Sequence, residues 1–568
     1  MSLVSLYDEA SLWMTPSGAK DGKLFSELPT DGSGDFTFSR GSNLAATRVG
    51  PTGLIEKGRE NLFLNSNQFD TGWPTSNATF TSGQSGYDGS SDAWLLTSSV
   101  AGGRIQLTRS DTGVHTTSAY FKKGSADGVW FRINMGADAN IYVNLINGTK
   151  INSTGEIATK ITDVGNGWYR VELTANWVSV DDVRIYPANT SGVSIAGSIY
   201  IQDAQLEIGL AATDYIESGA TTGKAGLLEN EPRLDYSGGA TCPSLLLEPQ
   251  RTNKVLYSEG YVGFQTSTSG TGITPVITQN AAISPDGTQN AFRVDLDRGA
   301  GNTSGDFSWI YQSGIVYAGE NQISVYLKAA TSNDIGKEVS LRASGGSQTL
   351  TLTADWKRHT MSRTSSSTSD VGLYSRGGQN ADNAVSCYVY GWQVENNSSY
   401  PTSYIPTYGT SQTRSVDGGN NFQIDNLKNN GFFGNTYTLF YEFDNLNFGA
   451  SSQQFNYLFD DNGSLAMYVY GTTLTILTES GPRYTLFTNG FTNVKSGKFL
   501  VKYDGSDIKI FKDGSLYQTY SDPTSSWSIP KFIRLYTSSA TASISYKQVL
   551  TFPTALNDSE CIALTKLG

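Results

Sequence analysis

Apolar and polar residues alternate along most of this chain with a period of two. The segments 118–123 (SAYFKK), 130–136 (WFRINMG), 139–146 (ANIYVNLI), 168–175 (WYRVELTA), 182–188 (DVRIYPA) and 198–208 (SIYIQDAQLEI) each place apolar side chains on one side only. Such a pattern predicts antiparallel strands with one buried face. Gly, Asn, Asp and Ser turns separate them, and the spacing predicts a β-sandwich over residues 51–220.

The same order returns further along. Residues 118–122 match 324–328, Trp168 and Arg170 match Trp356 and Arg358, and Gln205 and Glu207 match Gln393 and Glu395. The entry to each copy is the clearest repeat: GLIEKGRENLFLNSNQFDTGW from Gly53 against SLLLEPQRTNKVLYSEGYVGF from Ser244. Glu56, Arg59 and Asn61 stand 192 residues before Glu248, Arg251 and Asn253. A period this long is a duplicated domain, not a solenoid, so 244–415 is expected to be a second sandwich, with 221–243 as linker. Residues 1–50 form a leader in which a turn cluster precedes Phe36, Phe38 and Arg40; it reads equally as a strand of the first module or as an anchor to a larger assembly. From 416 the pattern changes. The segments 436–443 (TYTLFYEF) and 497–520 (GKFLVKYDGSDIKIFKDGSLYQTY) predict a third sandwich of another type, with hairpins at Asp504-Gly505 and Asp513-Gly514. A closing helix is expected, capped by Asn557 or Asp558 with Glu560 in its first turn. The expected fold class is all-β, three tandem β-sandwiches.

Composition sharpens this picture in a few places. The 568 residues allow three or four domains. Charged residues make up only 16 %, aromatics reach 12 %, and 61 glycines suit frequent turns. A net charge of −12 argues against general nucleic-acid binding. Three distant cysteines and two histidines offer neither a disulfide framework nor zinc-ligand spacing. No apolar run approaches 18 residues, so no membrane insertion is expected, and the first residues lack a signal-peptide pattern.

Candidate chemistry is a matter of binding. Two histidines, His115 and His359, assemble no nucleophilic triad. The recurring Glu56/Glu248 and Glu207/Glu395, with Arg59/Arg251, are expected to form partly buried ion pairs that fix the sheets. Aromatics shared by both copies, Trp168/Trp356 and Tyr215/Tyr404, are expected to serve the common fold. Those present once are candidates for carbohydrate binding, because sugar C–H faces stack on exposed rings: Trp73, Trp130, Trp309 and Tyr311, and Tyr468, Tyr470 and Trp527 in the third domain.

Several phrases carry a resemblance. LYDEASLWMTPSG, PTDGSGDFTFSR, GLIEKGRENLFLNSNQFDTGW, SGQSGYDGSSDAW, SIYIQDAQLEIG and YPTSYIPTYGT resemble segments of tailed-bacteriophage structural proteins, in which jelly-roll modules similar to carbohydrate-binding modules occur in tandem. KYDGSDIKIFKDG and VLTFPTALNDSECIALT make 436–565 resemble a concanavalin-like or laminin-G-type lectin domain. The resemblance implies a virion structural protein, made in the host cytoplasm and released by lysis. It would be a tail fibre or receptor-binding appendage that attaches to host-surface glycans, packed against other virion proteins and assembled as a homotrimer. A capsid decoration or head fibre making protein–protein contacts is the alternative. A polysaccharide-degrading tail enzyme fits less well. Glu442-Phe443-Asp444 followed by Asn447 resembles the paired-carboxylate strand of concanavalin-like glucanases, but an amide stands where the last carboxylate is needed. Jelly rolls of this kind also imply a structural calcium, for which Asp88, Asp92 and Asp203 are the candidates, against the simpler reading that Asp88 makes an Asx turn.

Overall fold

The computed structural model describes residues 3–41, 44–134, 136–178, 181–418, 421–425, 427–448, 454–459, 465–470, 473–478, 483–487, 493–521, 532–537 and 541–567. The fold is all-β, built as sandwiches. In the first module one six-stranded sheet runs Ala158–Gly165, Trp168–Trp177, Gly113–Lys123, Gly197–Ile208, Ala93–Ser98, Ala78–Gln84; the facing sheet runs Thr149–Thr154, Ala139–Asn144, Gly128–Asn134, Asp181–Ala188, Arg104–Arg109, Thr75–Ser76. Alternation sends Phe121, Phe131, Val171, Ile185 and Ile201 into the space between them.

The second module repeats this plan with two five-stranded sheets. One runs Ile273–Ala282, Ala291–Asp297, Ala384–Asn396, Gly319–Ala329, Lys357–Ser365; the other runs Gln265–Ser269, Phe307–Val316, Ser369–Arg376, Glu338–Ala343, Gly346–Thr351. The internal repeat is visible in hydrogen bonds as well as in strand order. Asn61 donates to the carbonyls of Ala204 (3.1 Å) and Ile216 (2.8 Å) and accepts from the N–H groups of Phe63 and Leu206. Asn253 donates to Trp392 (2.9 Å) and Ile405 (2.8 Å) and accepts from Val255 and Val394. Each amide thus satisfies four backbone groups at zero exposure. Tyr215 and Tyr404 likewise meet Ser66 (2.5 Å) and Ser258 (2.6 Å).

The C-terminal sandwich differs, with an eight-stranded sheet against a six-stranded one. Its hairpin at Asp513-Gly514 has positive φ at both residues (47° and 81°), which Gly and Asp tolerate. The helix Asp558–Thr565 starts at a capping box made by Asn557 and Glu560. Among the described residues no helix is long and apolar enough to cross a membrane.

Two expectations about segment roles need correction. The leader adds no strand to either six-stranded sheet of the first module. Leu12–Met14 pairs with Ser543–Phe552, and Leu12, Met14, Phe36 and Phe38 enter the C-terminal core beside Phe422. Leu6 packs with Leu556, Cys561 and Leu564, so the two ends of the chain close one domain. The duplicated entry stretch is also more than a first strand. In the first copy, Ile55–Lys57 pairs with Thr47–Val49, the Ile55 N–H donates to the Pro285 carbonyl of the second module, and Ile55 packs with Ala291, Tyr390 and Tyr404. In the second copy, Ser244–Leu247 joins the C-terminal sheet beside Ser543–Phe552, and Arg233–Asp235 of the linker pairs with it. Each copy therefore holds its own module through the asparagine and docks its earlier half onto the domain that follows. It is a splint between neighbours.

Ion pairs follow the splint, not the pairing expected from sequence. Glu56 pairs with Arg48 (2.7 Å), and Glu248 with Arg233 (2.6 Å) and Arg414 (2.9 Å). Arg251 instead lies over the Tyr400 ring and donates to Ser398. Glu207 and Glu395 are held by threonines, accepting from the N–H and hydroxyl of Thr213 and of Thr402.

Candidate functional site

Trp130, Trp309 and Tyr311 come out on the same sheet of their two modules, on its outward face. In Gly128–Asn134 the residues Val129, Phe131 and Ile133 point to the core, leaving Trp130 and Arg132 outside. Across the ladder Trp130 faces Tyr142 on one side and Tyr186 on the other. The three rings stack, with centroids 4.9 and 4.4 Å apart and interplanar angles of 11° and 22°. Arg132 lies 5.2 Å from the indole centroid, and Arg104 5.7 Å from that of Tyr186.

The second module places its stack on the other side of the corresponding tyrosine. Tyr374 has Trp309 and Ser340 as its cross-strand neighbours. Trp309 stacks on Tyr311 at 4.0 Å and carries Arg342 at 4.5 Å from its centroid. Gly372, between Tyr311 and Arg342 in the ladder, makes room for the indole: a Cβ there would lie 2.1 Å from the Ile310 carbonyl oxygen and 2.8 Å from Trp309 Nε1. The register makes Tyr186 and Tyr374 equivalent, and Arg132 and Arg342 equivalent. Both copies thus hold a Tyr–Arg pair and a tryptophan on one face, with the tryptophan reached from opposite strands. Among the described residues the buried indole N–H groups of Trp130 and Trp309 have no hydrogen-bond partner.

The other sequence candidates fall elsewhere. Trp73 is interior: it is 4 % exposed, packs edge-on against Phe63 and Phe69, and donates to the Asn65 carbonyl (3.0 Å). Trp168 is buried with Tyr87 and Tyr200, and Trp356 is half-buried and donates to the Ile283 carbonyl. Tyr468 and Tyr470 sit on the strand Leu465–Tyr470, their side-chain surroundings outside the described residues, as is Trp527 altogether. The carboxylates of the glucanase-like strand are engaged singly. Glu442 accepts from Gln548 (2.8 Å), Asp444 pairs with Lys547 (2.7 Å), and the register slips between Asp444 and Asn447.

Asp88, Asp92 and Asp203 do not assemble into one ligand set, and among the described residues no group of three or more acidic, His or Cys side chains is placed to hold a metal ion. The Gln202 amide donates to Asp92 (2.8 Å) and Asp88 (3.3 Å), and Asp88 closes an Asx turn on the Ser90 N–H. Asp203 instead accepts from the Tyr87 hydroxyl (3.0 Å). Burial, then repulsion from Asp92 and Asp88, pushes the Asp203 carboxyl up to about 7, against the lowering effect of the Tyr87 hydrogen bond. Between the ordinary value of about 3.9 and that raised value the native state holds the proton more tightly than the unfolded chain. The stability from this group is therefore present at low pH and lost as pH rises toward 7. Asp203→Asn keeps an acceptor for Tyr87 and tolerates the positive φ of 52°. It is expected to raise the melting temperature at pH 8 and leave it unchanged at pH 4; equal shifts at both pH values in calorimetry would contradict this origin.

A feature no motif announced lies between the modules: a cleft of about 980 Å³, walled by the strand Ala158–Gly165 and the neighbouring Trp168–Trp177 on one side and by Ile273–Ala282 on the other. A smaller cavity of about 630 Å³ opens on the far side of the splint, and Arg59 borders both.

No protein-family model and no curated protein sequence matches the chain. Similar solved structures include the N-terminal tandem of CBM22 domains from Paenibacillus barcinonensis Xyn10C (11 % identity, 63 % of this chain and 99 % of that chain, TM-score 0.22). Others are the ligand-binding domain of botulinum neurotoxin serotype D in complex with N-acetylneuraminic acid (7 %, 53 % and 45 %, 0.17) and the M60 catalytic domain with CBM51-1 and CBM51-2 of Clostridium perfringens ZmpB (9 %, 62 % and 43 %, 0.16). Overlap this loose carries no argument about ligand or activity.

Proposed function

We propose that the chain is a structural protein of a tailed-phage virion, a tail fibre or receptor-binding appendage, whose tandem modules contact host-surface glycans through their aromatic–arginine faces. The virion assignment rests on the sequence phrases. The glycan assignment rests on one observation: both copies carry a tryptophan beside an equivalent Tyr–Arg pair on the same outward face, although the tryptophan comes from a different strand in each. A packing requirement inherited with the fold would keep the residue in place; a requirement of the surface keeps only the combination. Ring edges and guanidinium groups supply apolar edges and donors for a hydroxyl-rich ligand. Two such faces on one rigidly splinted chain multiply weak contacts.

On a glycan array the intact chain is expected to bind, and the Trp130→Ala/Trp309→Ala double variant to lose at least about tenfold in affinity, ~1.4 kcal/mol. Unchanged binding by the double variant, or no glycan bound by the intact chain, refutes the reading. A capsid-decoration role has one observation in its favour. The edge strand Ile273–Ala282 exposes Ile273 (55 %) and Val276 (58 %), which a protein neighbour would cover. Antibody label at the tail supports attachment; regular label over the head supports decoration.

A further inference from the structure

The splint Ile55–Asn61 carries four charged side chains, and three are engaged. Glu56 pairs with Arg48, Lys57 with Glu259 and Asp286, and Glu60 accepts from the Thr222 hydroxyl. The Arg59 guanidinium makes no ion pair or hydrogen bond with any described residue, and the residue stands half-buried at the border of the intermodule cleft. Its counterpart in the second copy is occupied, Arg251 lying on Tyr400 and donating to Ser398 and the Gln250 carbonyl. Other half-buried arginines without a carboxylate, such as Arg170 and Arg251, are held by a ring and a hydroxyl; among the described residues the Arg59 guanidinium has neither.

The walls around Arg59 describe what it would meet. On the first module Arg170 lies over the Tyr120 ring at 5.5 Å and donates to Ser118, Lys160 stands 3.6 Å from Glu172, and Lys150, Glu156 and Asp214 line the same wall. On the second module Tyr261 and the amides of Gln279 and Gln289 line the opposite wall. Rings and amides suit sugar C–H faces and hydroxyls, and a volume near 980 Å³ holds several sugar units. An unpaired guanidinium selects a planar or tetrahedral anion by paired N–H donation.

We infer that the intermodule cleft is a composite binding site for an acidic oligosaccharide, with Arg59 as the anchor for its carboxylate or sulfate. The inference rests on the glycan reading above but uses different residues, and it exists only in the tandem, since neither module alone supplies both walls.

The test uses the intact chain and a panel of sialylated, uronate-containing and sulfated oligosaccharides with neutral counterparts. Acidic members are expected to bind at least tenfold more tightly than neutral ones, and to weaken as salt rises from 50 to 500 mM, on the order of a severalfold effect for screened charges. Arg59→Gln is expected to remove at least about tenfold of the acidic preference, ~1.4 kcal/mol. Gln289→Glu, at an exposed position of the opposite wall, is expected to act in the same direction by repulsion and guards against a folding artefact at the splint. Acidic binding that ignores both substitutions overturns the inference. If neutral binding still depends on Trp130 and Trp309 in that case, the glycan reading stands without it. Absence of binding to every oligosaccharide overturns both.

Discussion

Replacing Lys57 by alanine is expected to destabilise the chain by about 3–5 kcal/mol, the usual cost of removing one partner from a buried ion pair. The ammonium comes from the splint of the first module but is buried in the second. It lies 2.6 Å from Glu259 and 2.8 Å from Asp286, and 2.9 Å from the Tyr408 hydroxyl. The hydroxyls of Tyr390 and Tyr404 and the amide of Asn290 complete the shell around the two carboxylates. Burial alone would push Lys57 down, but Asp286 and Glu259 outweigh it and hold the ammonium well above its ordinary range. Burial alone would push Asp286 up, but Lys57, helped by Thr288, holds that carboxyl well below its ordinary range. Lys57 therefore contributes fully below its ordinary pKa of about 10.4, and Asp286 above its ordinary value of about 3.9. Between roughly pH 4 and 10 the junction is expected to be insensitive to pH.

In Lys57→Ala two carboxylates remain buried with only neutral donors, so one must take up a proton or the modules must part. Urea unfolding should show a lower midpoint, and proteolysis should open the junction between residues 44 and 61. The triple variant Lys57→Met/Glu259→Gln/Asp286→Asn removes all three charges and should recover most of the loss, since a neutral set of similar volume is often tolerated. A loss under about 1 kcal/mol in the single variant would show that the ammonium is not buried in solution.

Period-two alternation made the strands of both jelly-roll-like modules legible, because one buried face per strand leaves a mark at every second residue. Asn61 and Asn253 were legible as a pair through the repeat, though the carbonyls they donate to lie 139–155 residues away and leave no local trace. The splint was not legible. Leu54-Ile55-Glu56 and Leu246-Leu247-Glu248 look like the beginnings of their own modules, and a strand pattern names no partner. One signal was present: Lys57 has the parity of Ile55, in a strand whose burial runs buried, half-buried, buried. A lysine on the apolar side of a strand demands a carboxylate, and that could have directed attention to the junction. The surface stacks were half legible. Trp130 and Trp309 are singular in the repeat, but so is Trp73, whose ring fills the core; only the ladder separates an outward indole from an inward one. The intermodule cleft had no sequence signature, since strands of two separate modules build it.

Arg233→Met is expected to cost about 3–5 kcal/mol at pH 7, with a pH profile that identifies the cause. Five charges meet at the junction of the second module with the C-terminal sandwich: Arg40 of the leader, Arg233 of the linker, Glu248 of the second splint, and Arg414 and Asp417 on either side of the domain boundary. Arg233 has no exposed side-chain surface and holds the group together. It donates to Glu248 (2.6 Å), to both oxygens of Asp417, to the Ser403 hydroxyl (2.7 Å) and to the Thr47 carbonyl (3.2 Å). Without it, Asp417 keeps Arg40 at 3.2 Å and Glu248 keeps Arg414 at 2.9 Å, each with one cation where there were two. Burial tends to raise the Glu248 carboxyl, but Arg414 and Arg233 outweigh it and hold it well below its ordinary range. That stability is present above the ordinary carboxylate pKa of about 4.3 and lost as pH falls through the depressed folded value. The difference between Arg233→Met and the wild type should therefore be largest near neutrality and shrink toward pH 3, whereas a loss of packing alone would give an offset independent of pH. Arg233→Lys keeps the charge but cannot bridge two carboxylates with a planar fork, and should fall between the two. Because the leader, linker, second module and C-terminal sandwich all contribute a charge, the destabilised variant should lose them in one transition. Release of the leader at a lower urea concentration than the C-terminal sandwich would show that the five charges do not act as a unit.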